Sequence, residues 1–438
     1  MINPGDAGQA LRHAMKSGAE EAEVFFLEGR TVSIDIKGTS IELARENIAS
    51  GVGIRAVVRG AVGFASTNIP AKMKKAAEYA VKAAKVRASD PEWKSLPDTK
   101  EFPAVEGIYD DEVANIGLET CLDCAVAMIS GVSEKKGAYP TSGSFSCSRS
   151  KQLILNSHGV EIKDEETGVE AAIEAAVSGN ELSTALDFSV SRHNDIDFRE
   201  LGASAAGLAV SSQGGKRFEA ADVPVILKPM AAADLLENVF LPSLSAENVQ
   251  KARSALSGRM GEEIAPAELC IIDDGTLRSG MGSSRADDEG TPSQRTELVS
   301  RGVLKNFLHN SYTAGKYGIA STGNGVRLSY LTTPAVGIRN LMVEYTESDI
   351  IAETSRGVVV NTLIGAHTAN AISGDFSVEG RNAFYIKNGE LVNPIKSVML
   401  SGNIFDLVKK IDGAGKDKKA VGNIITPSLR FGNMRVLG

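Results

Sequence analysis

The chain has 438 residues, more than the roughly 250 to 300 at which a single hydrophobic core stops growing, so two or three domains are expected. With 42% apolar and 23% charged residues it is neither collagen-like nor broadly disordered, and 44 glycines against 5% aromatics suit a sheet-rich protein with many tight turns. The 47 basic and 55 acidic side chains leave a formal charge of −8, which offers phosphate backbones no attraction and argues against nucleic acid as a partner.

Residues 4–18 predict a helix that leads into TVSIDIKG. There Val32, Ile34 and Ile36 alternate with Thr31, Ser33, Asp35 and Lys37, the period of a half-buried strand. TSIELARE and GIRAVVRGAVGFAST read the same way, the second broken at Arg59-Gly60 as a hairpin. Pro70 opens a helix to about Ala88 with a stripe of Met73, Ala76, Ala77, Ala80 and Ala84. Three prolines and many charges make 89–109 a surface linker. A helix over 110–133 follows, then strands in SGSFSCS, KQLILNSHG and GVEAAIEAAVSG, and a helix near 198–212.

SSQGGKRFEAADVP marks a second boundary. Beyond it VPVILK predicts a strand, and 230–241 and 245–256 predict helices, the second with Ser245 as its cap. AELCIIDD, TELVSRGVLKNFLHN, RNLMVEY, GVVVNTL and AFYIKNGELV are strand-like, with Asn388-Gly389 as a hairpin turn. TESDIIAETSRG predicts a short capped helix, and 402–411 another. The expected class is α+β: an N-terminal α/β segment over 1–100, a central segment over 110–215 and a large sheet-rich domain over 222–438. The first residues lack the basic start and apolar run of a signal peptide, and no stretch approaches the roughly 20 apolar residues that span a bilayer. A cytoplasmic protein without a membrane partner is expected. Cys121, Cys124, Cys147 and Cys270 are too few for a disulfide framework, and the C-x-x-C of Cys121 and Cys124 falls within a helical apolar stripe, as small hydrophobes do.

The chemistry is less legible. His13, His158, His193, His309 and His367 are far apart, so no helical His pair makes a local metal site. There is no G-x-S-x-G elbow and no phosphate loop, and Gly51-Val-Gly53 and Gly280-Met-Gly282 are bare fragments. The densest polar cluster, 279–295, holds Asp287, Asp288 and Glu289 and then Gly290, Thr291 and Pro292. It reads first as a solvated loop and second as a loop lining a cleft. An alternative enzyme reading combines Asp287, Asp288 and Glu289 with His309 or His367 in a non-local hydrolase site.

Several strings together resemble one family: DDEGTP at 287–292, GNGVR at 323–327, SGDFS at 373–377, YIKNGEL at 385–391, SGN at 401–403 and NSHG at 156–159. They are similar in order to the TldD/PmbA family, once described as modulators of DNA gyrase and understood as a two-subunit metallopeptidase. The resemblance implies a cytosolic heterodimer acting on unfolded peptides. TldD-like subunits of that family hold zinc with an H-E-x-x-x-H helix and a C-terminal Cys; PmbA-like (TldE-like) subunits lack both. In VPVILKPMAAADLLENVFLP the matching positions are Glu237, Asn238 and Pro242, with Asp234 one turn earlier. An amide is a poor zinc ligand and proline offers none, and TPSLRFGNMRV has no Cys. The resemblance therefore implies a PmbA-like subunit with no metal or other cofactor of its own, and zinc in a TldD-like partner. It also places Asp287, Asp288, Glu289, Gly290, Thr291, Asn324, Gly374, Asp375 and Phe376 as candidates to line a shared cleft. A gyrase-directed regulator is the non-enzymatic alternative.

Overall fold

The computed structural model describes residues 4–179 and 181–438. Helix α1 (Pro4–Lys16) buries Ala7, Ala10 and Ala14 and leads into β1 (Glu21–Lys37). β2 (Ser40–Val58) and β3 (Ala61–Thr67) meet at Arg59 and Gly60, whose φ of 54° and 73° give the hairpin turn expected there. α2 (Met73–Val86) follows a short turn begun by Pro70, and its alanine stripe is buried as predicted. The strands are longer than the sequence suggested. TSIELARE and GIRAVV lie in one 19-residue strand, and SGSFSCS and KQLILN in another.

The helix expected over 110–133 is two: α3 (Asp111–Asn115) and α4 (Leu118–Ser133). Ile116 and Gly117 adopt extended backbone between them, and the Ile116 side chain drops into the core. β4 (Ala138–Asn156), β5 (Glu161–Val177), β6 (Ser183–Ser191) and α5 (Phe198–Ser211) complete the first half. Its strands form one antiparallel sheet in the order β3-β2-β1-β4-β5-β6, so segments on either side of the 89–109 linker share a single sheet. Along β1 the even residues face one way. Ala22, Val24 and Phe26 pack on α1 and α2, and Val32, Ile34 and Ile36 pack on α4 and α5. Glu23, Phe25 and Leu27 face the other way, toward the C-terminal half.

That half begins with β7 (Ala221–Leu227), α6 (Pro229–Leu235), α7 (Ala246–Gln250), β8 (Cys270–Asp274), β9 (Arg295–Ser300) and β10 (Val303–Leu304). It continues through α8 (Ser311–Tyr317), β11 (Gly325–Val326), β12 (Ala335–Val336), β13 (Leu341–Glu344) and β14 (Arg356–Ile364). It ends with β15 (Asp375–Lys387), β16 (Glu390–Ile395), β17 (Val398–Asn403), α9 (Ile404–Val408), β18 (Ile411–Ala414), β19 (Lys419–Val421), β20 (Ile424–Thr426) and β21 (Leu429–Leu437). One sheet runs β10-β9-β8-β13-β20-β19; a second runs β14-β7-β21-β17-β15-β16, with β18 on β21, and closes on itself because β14 also pairs with β15; β11 and β12 form a small third. The chain is α+β and sheet-rich, 23% helix and 41% strand.

Three local expectations fail for identifiable reasons. The helix read over 245–256 is only α7; the Ser245 side chain caps nothing, and Asn248 instead donates to the Pro242 carbonyl at 2.7 Å. TESDIIAETSRG is a pair of turns around Asp349, drawn out of helical geometry where Arg356 enters β14. After Leu304 the strand stops, because the Lys305 and Asn306 amides both turn back to the Leu298 carbonyl.

Candidate functional site

Strand β7 ends at Leu227 and Pro229 starts α6, so the chain leaves the closed sheet through a strand-to-helix turn. α6 then widens into a π turn over Leu236–Phe240 and tightens into a 3₁₀ turn over Leu241–Leu244. Pro242 accounts for the change: it has no N–H for the carbonyl four residues back, and its ring crowds that carbonyl. Glu237 is exposed, and Asn238 and Pro242 are half-buried. The Asn238 amide donates to both the Asp234 carbonyl and carboxylate at 2.9 Å. Burial and the Glu237 charge push the Asp234 carboxyl up, and His367 acts against them. His367 itself lies exposed on the 3₁₀ turn Ala366–Thr368, which packs beside this helix.

The 373–377 turn reaches the same corner. A Cβ at Gly374 would stand 2.5 Å from the Phe405 ring, and Phe405 tilts against Phe240 with centroids 6.2 Å apart. Asp375 accepts from Ser373 Oγ at 2.7 Å and Asn403 Nδ2 at 2.9 Å, which hold its carboxyl below the usual range. Phe376 is a core side chain and leaves no surface for a cleft. Beside the other end of α6, Lys228 pairs with Asp417, which also accepts from Ser428 Oγ at 2.7 Å; a cavity of about 350 Å³ opens there.

Asp287, Asp288, Glu289, Gly290, Thr291 and Asn324 lie elsewhere, at the seam with the first sheet. The solvated loop expected at 279–295 is instead an internal one, with Asp287 and Glu289 fully buried. Asp287 accepts three backbone amides, from Glu289 at 3.0 Å, Thr291 at 2.8 Å and Gly325 at 2.9 Å. Asp288 accepts from Gln152 at 2.8 Å and the Arg327 amide at 2.6 Å. Glu289 takes Arg55 at 2.9 Å and the Ser311 amide at 2.7 Å; the second contact of Arg55 is Glu23 at 2.6 Å, and Glu23 also pairs with Arg327. Burial opposes the Arg55 charge, but Glu23 and Glu289 outweigh it and its pKa rises. Asn324 donates to Asp273 at 2.7 Å, and burial lifts Asp273 to about 6. Gly290 has φ 86°, and a Cβ there would stand 2.6 Å from Val160.

These carboxylates are spent on the seam, so the non-local hydrolase reading is not met. His309 is buried with an unpartnered Nδ1 and a pKa pushed down to about 4 by burial, and His367 lies beside α6 instead. Glu23, Arg55, Arg327 and Gln152 escaped the sequence reading. For Glu23 and Arg55 the one signal was charge at strand positions whose neighbours are apolar, as in EAEVFF and GIRAVV; Gln152 and Arg327 gave none. Both G-x-G fragments are close approaches: a Cβ at Gly51 would meet Tyr330 at 2.3 Å, and one at Gly282 would meet the Arg339 carbonyl at 2.0 Å.

Three family profiles match in chain order: "PmbA/TldA metallopeptidase domain 1" over 22–84, the central domain over 111–213 and the C-terminal domain over 220–438. The chain belongs to the PmbA/TldD metallopeptidase family. An uncharacterised protein of Methanocaldococcus jannaschii is 34% identical over 97% of this chain and 98% of its own. A Haemophilus influenzae homologue of the metalloprotease PmbA is 23% identical over 98% and 94%. The crystal structure of TldE from Thermococcus kodakarensis superposes with a TM-score of 0.92 at 26% identity, covering 99% of this chain and 100% of that one.

A catalytic zinc needs about three protein ligands and an open position. Asn238 is committed to Asp234, Pro242 has no donor, no cysteine follows Cys270, and among the described residues no group of three His, Cys, Asp or Glu is placed to hold a metal. Glu237, Asn238 and Pro242 do not fit a zinc ion in this chain. Among the described residues no helix is long and apolar enough to cross a membrane.

Proposed function

We propose that this chain is the non-catalytic, PmbA/TldE-type subunit of a two-chain cytosolic peptidase, with the zinc held by a TldD-like partner. One observation carries the reading: of Glu237, Asn238 and Pro242, which stand where ligands would be needed, Asn238 is committed to Asp234 within a π turn and Pro242, in the 3₁₀ turn that follows, has no donor. The likeness to a TldE structure over both full lengths supports it. Without a bound metal, water keeps its bulk pKa and amide hydrolysis lacks a nucleophile. The role left to this chain is to bind the partner and to shape the cleft through which an extended, unfolded peptide passes. Unpaired strand edges suit such a peptide through main-chain hydrogen bonds; the outer edge of β2 over 40–51 is one, since β3 pairs only from Val52 onward.

The test is reconstitution. The chain alone should not cleave a casein-type unfolded substrate, whereas adding it to a TldD-like partner should raise the rate at least tenfold, and a chelator should abolish that activity. An equal rate with and without this chain, or chelator-sensitive cleavage by this chain alone, would falsify the reading.

A further inference from the structure

Away from α6 and from the seam, three side chains stand in the order of a nucleophile, its base and the group that orients the base. Ser279, in the loop after β8, has its Oγ 3.2 Å from Nε2 of His193, and His193 Nδ1 is 3.0 Å from the Asp110 carboxylate. An ionised carboxylate only accepts, so Nδ1 carries the proton and Nε2 is left to accept the Ser279 hydroxyl. Asp110 caps α3, and its other carboxylate oxygen takes the Glu112 amide at 2.8 Å and the Val113 amide at 3.2 Å. Burial opposes its charge, but His193 and these amides outweigh it and hold the carboxyl below its ordinary range. The buried Arg192, next to His193, donates to the Gly280 carbonyl at 3.1 Å and to that of Met281, so base and nucleophile are clamped together.

Ser279 has φ 56°, a left-handed backbone uncommon for a residue with a Cβ and frequent at functional turns. Both it and His193 reach solvent, with 32% of the His193 side chain exposed. The 89–109 segment passes over the hydroxyl at Gly107, where a Cβ would stand 2.2 Å from Oγ, so any side chain there would cover the nucleophile. The Ser279 amide donates to the Glu106 carbonyl at 3.0 Å and the Gly280 amide to the Leu277 carbonyl at 3.1 Å, and neither is free to hold an oxyanion. One such donor is worth about a hundred- to a thousandfold in rate, which places esters within reach of this serine and the far less reactive amides beyond it.

We propose that Ser279 and His193 form a second, serine-nucleophile site that takes an acetyl-sized acyl group from a small ester. Oγ bonds to the acyl carbon as the ester C–O bond breaks, and its proton passes to Nε2 and on to the departing alcohol. Water then attacks the acyl-serine by the same route and releases the carboxylic acid. Asp110 is a positioning residue, acting through His193. The close passage of Gly107 admits only a small acyl group. The site needs no metal and lies wholly within this chain, so it stands or falls separately from the subunit role.

The experiment is labelling of the full-length chain with a biotinylated fluorophosphonate, the site being read by peptide mass spectrometry and the rate by blotting. Fluoride leaves as the phosphorus–Oγ bond forms, so the label reports an activated serine without requiring turnover. Ser279 should be labelled in the native chain, with or without a chelator, and not in the urea-unfolded chain. His193→Gln, assayed where circular dichroism shows it folded, should slow labelling at least tenfold and remove its rise with pH. Asp110→Asn, which still offers an N-cap oxygen, should slow it severalfold under the same check. Steady-state hydrolysis of p-nitrophenyl acetate should fall severalfold in Ser279→Ala. A native chain left unlabelled at Ser279 would overturn the proposal, as would equal labelling of the unfolded chain or of His193→Gln. Ester hydrolysis unchanged by Ser279→Ala would overturn it too.

Discussion

Arg55 shows how one side chain can hold two halves of a molecule together. It rises from β2 with 4% of its surface exposed, bridges Glu23 of β1 to Glu289 of the C-terminal half, and lies 5.7 Å from the Trp93 ring centroid. Arg55→Met would leave the buried Glu289 carboxylate without a cation, while Glu23 keeps Arg327; the expected loss in urea unfolding is about 3 to 5 kcal/mol. Glu289→Gln should cost less, because Arg55 keeps Glu23. His309 makes one contribution to the acid side of stability, opposed by the raised Asp273, which gains from protonation over the same range. The His309 pKa is about 4 when folded against 6.5 when free, so the native state refuses a proton that the unfolded chain accepts. Its contribution is complete above pH 6.5 and is lost as pH falls toward 4, by on the order of 2 kcal/mol. The change in unfolding free energy between pH 7 and pH 4.5 should be less favourable in the parent than in His309→Phe; an equal change in both would remove His309 as a contributor.

Elements meet here wherever a side chain is missing. α4 and α5 touch through Gly131 and Gly202: a Cβ on the first would stand 1.9 Å from the Arg199 carbonyl, and one on the second 2.1 Å from that of Met128. Gly202→Val should push the helices apart and cost roughly 1 to 3 kcal/mol or more, seen as a lower urea midpoint. Gly207→Ala on the same helix meets only the end of Lys135 and should be neutral or slightly stabilising. The same pairing explains the cysteines: Cys121 and Cys124 pack in this layer near Cys147, burial pushes the Cys124 thiol up to about 11, and none of the three has thiolate character at neutral pH. At the end of α6, Pro242 sets the π turn, and Asn238 within that turn is committed to Asp234.

At the scale of the whole molecule, the 89–109 segment is a strap rather than a free linker. Glu21 accepts from Trp93 Nε1 at 2.7 Å and the Leu96 amide at 2.6 Å, Tyr312 donates to Asp90 at 3.0 Å, and His193 joins Asp110 at 3.0 Å to Ser279 at 3.2 Å. Glu21→Gln should release the strap first. Limited proteolysis within 90–100 should accelerate by roughly tenfold, the factor that about 1.4 kcal/mol of local opening gives, with little change in global melting. Unchanged cleavage would mean that Glu21 does not hold the strap.

The hairpins at Arg59-Gly60 and Asn388-Gly389, the alanine stripe of α2 and the helix at 198–212 were legible because each is decided by residues within a few positions of one another. That Asn238 and Pro242 offer zinc poor ligands was also readable, since it depends on their chemistry alone. Glu23 with Arg327 and Arg55 with Glu289 were not legible, because those partners lie 304 and 234 residues apart. Asp287, Asp288 and Glu289 looked like a solvated turn and became the floor of a domain seam for the same reason. A carboxylate's role depends on which cation and which amides surround it, and only the closing of the C-terminal half onto the odd face of β1 supplies them.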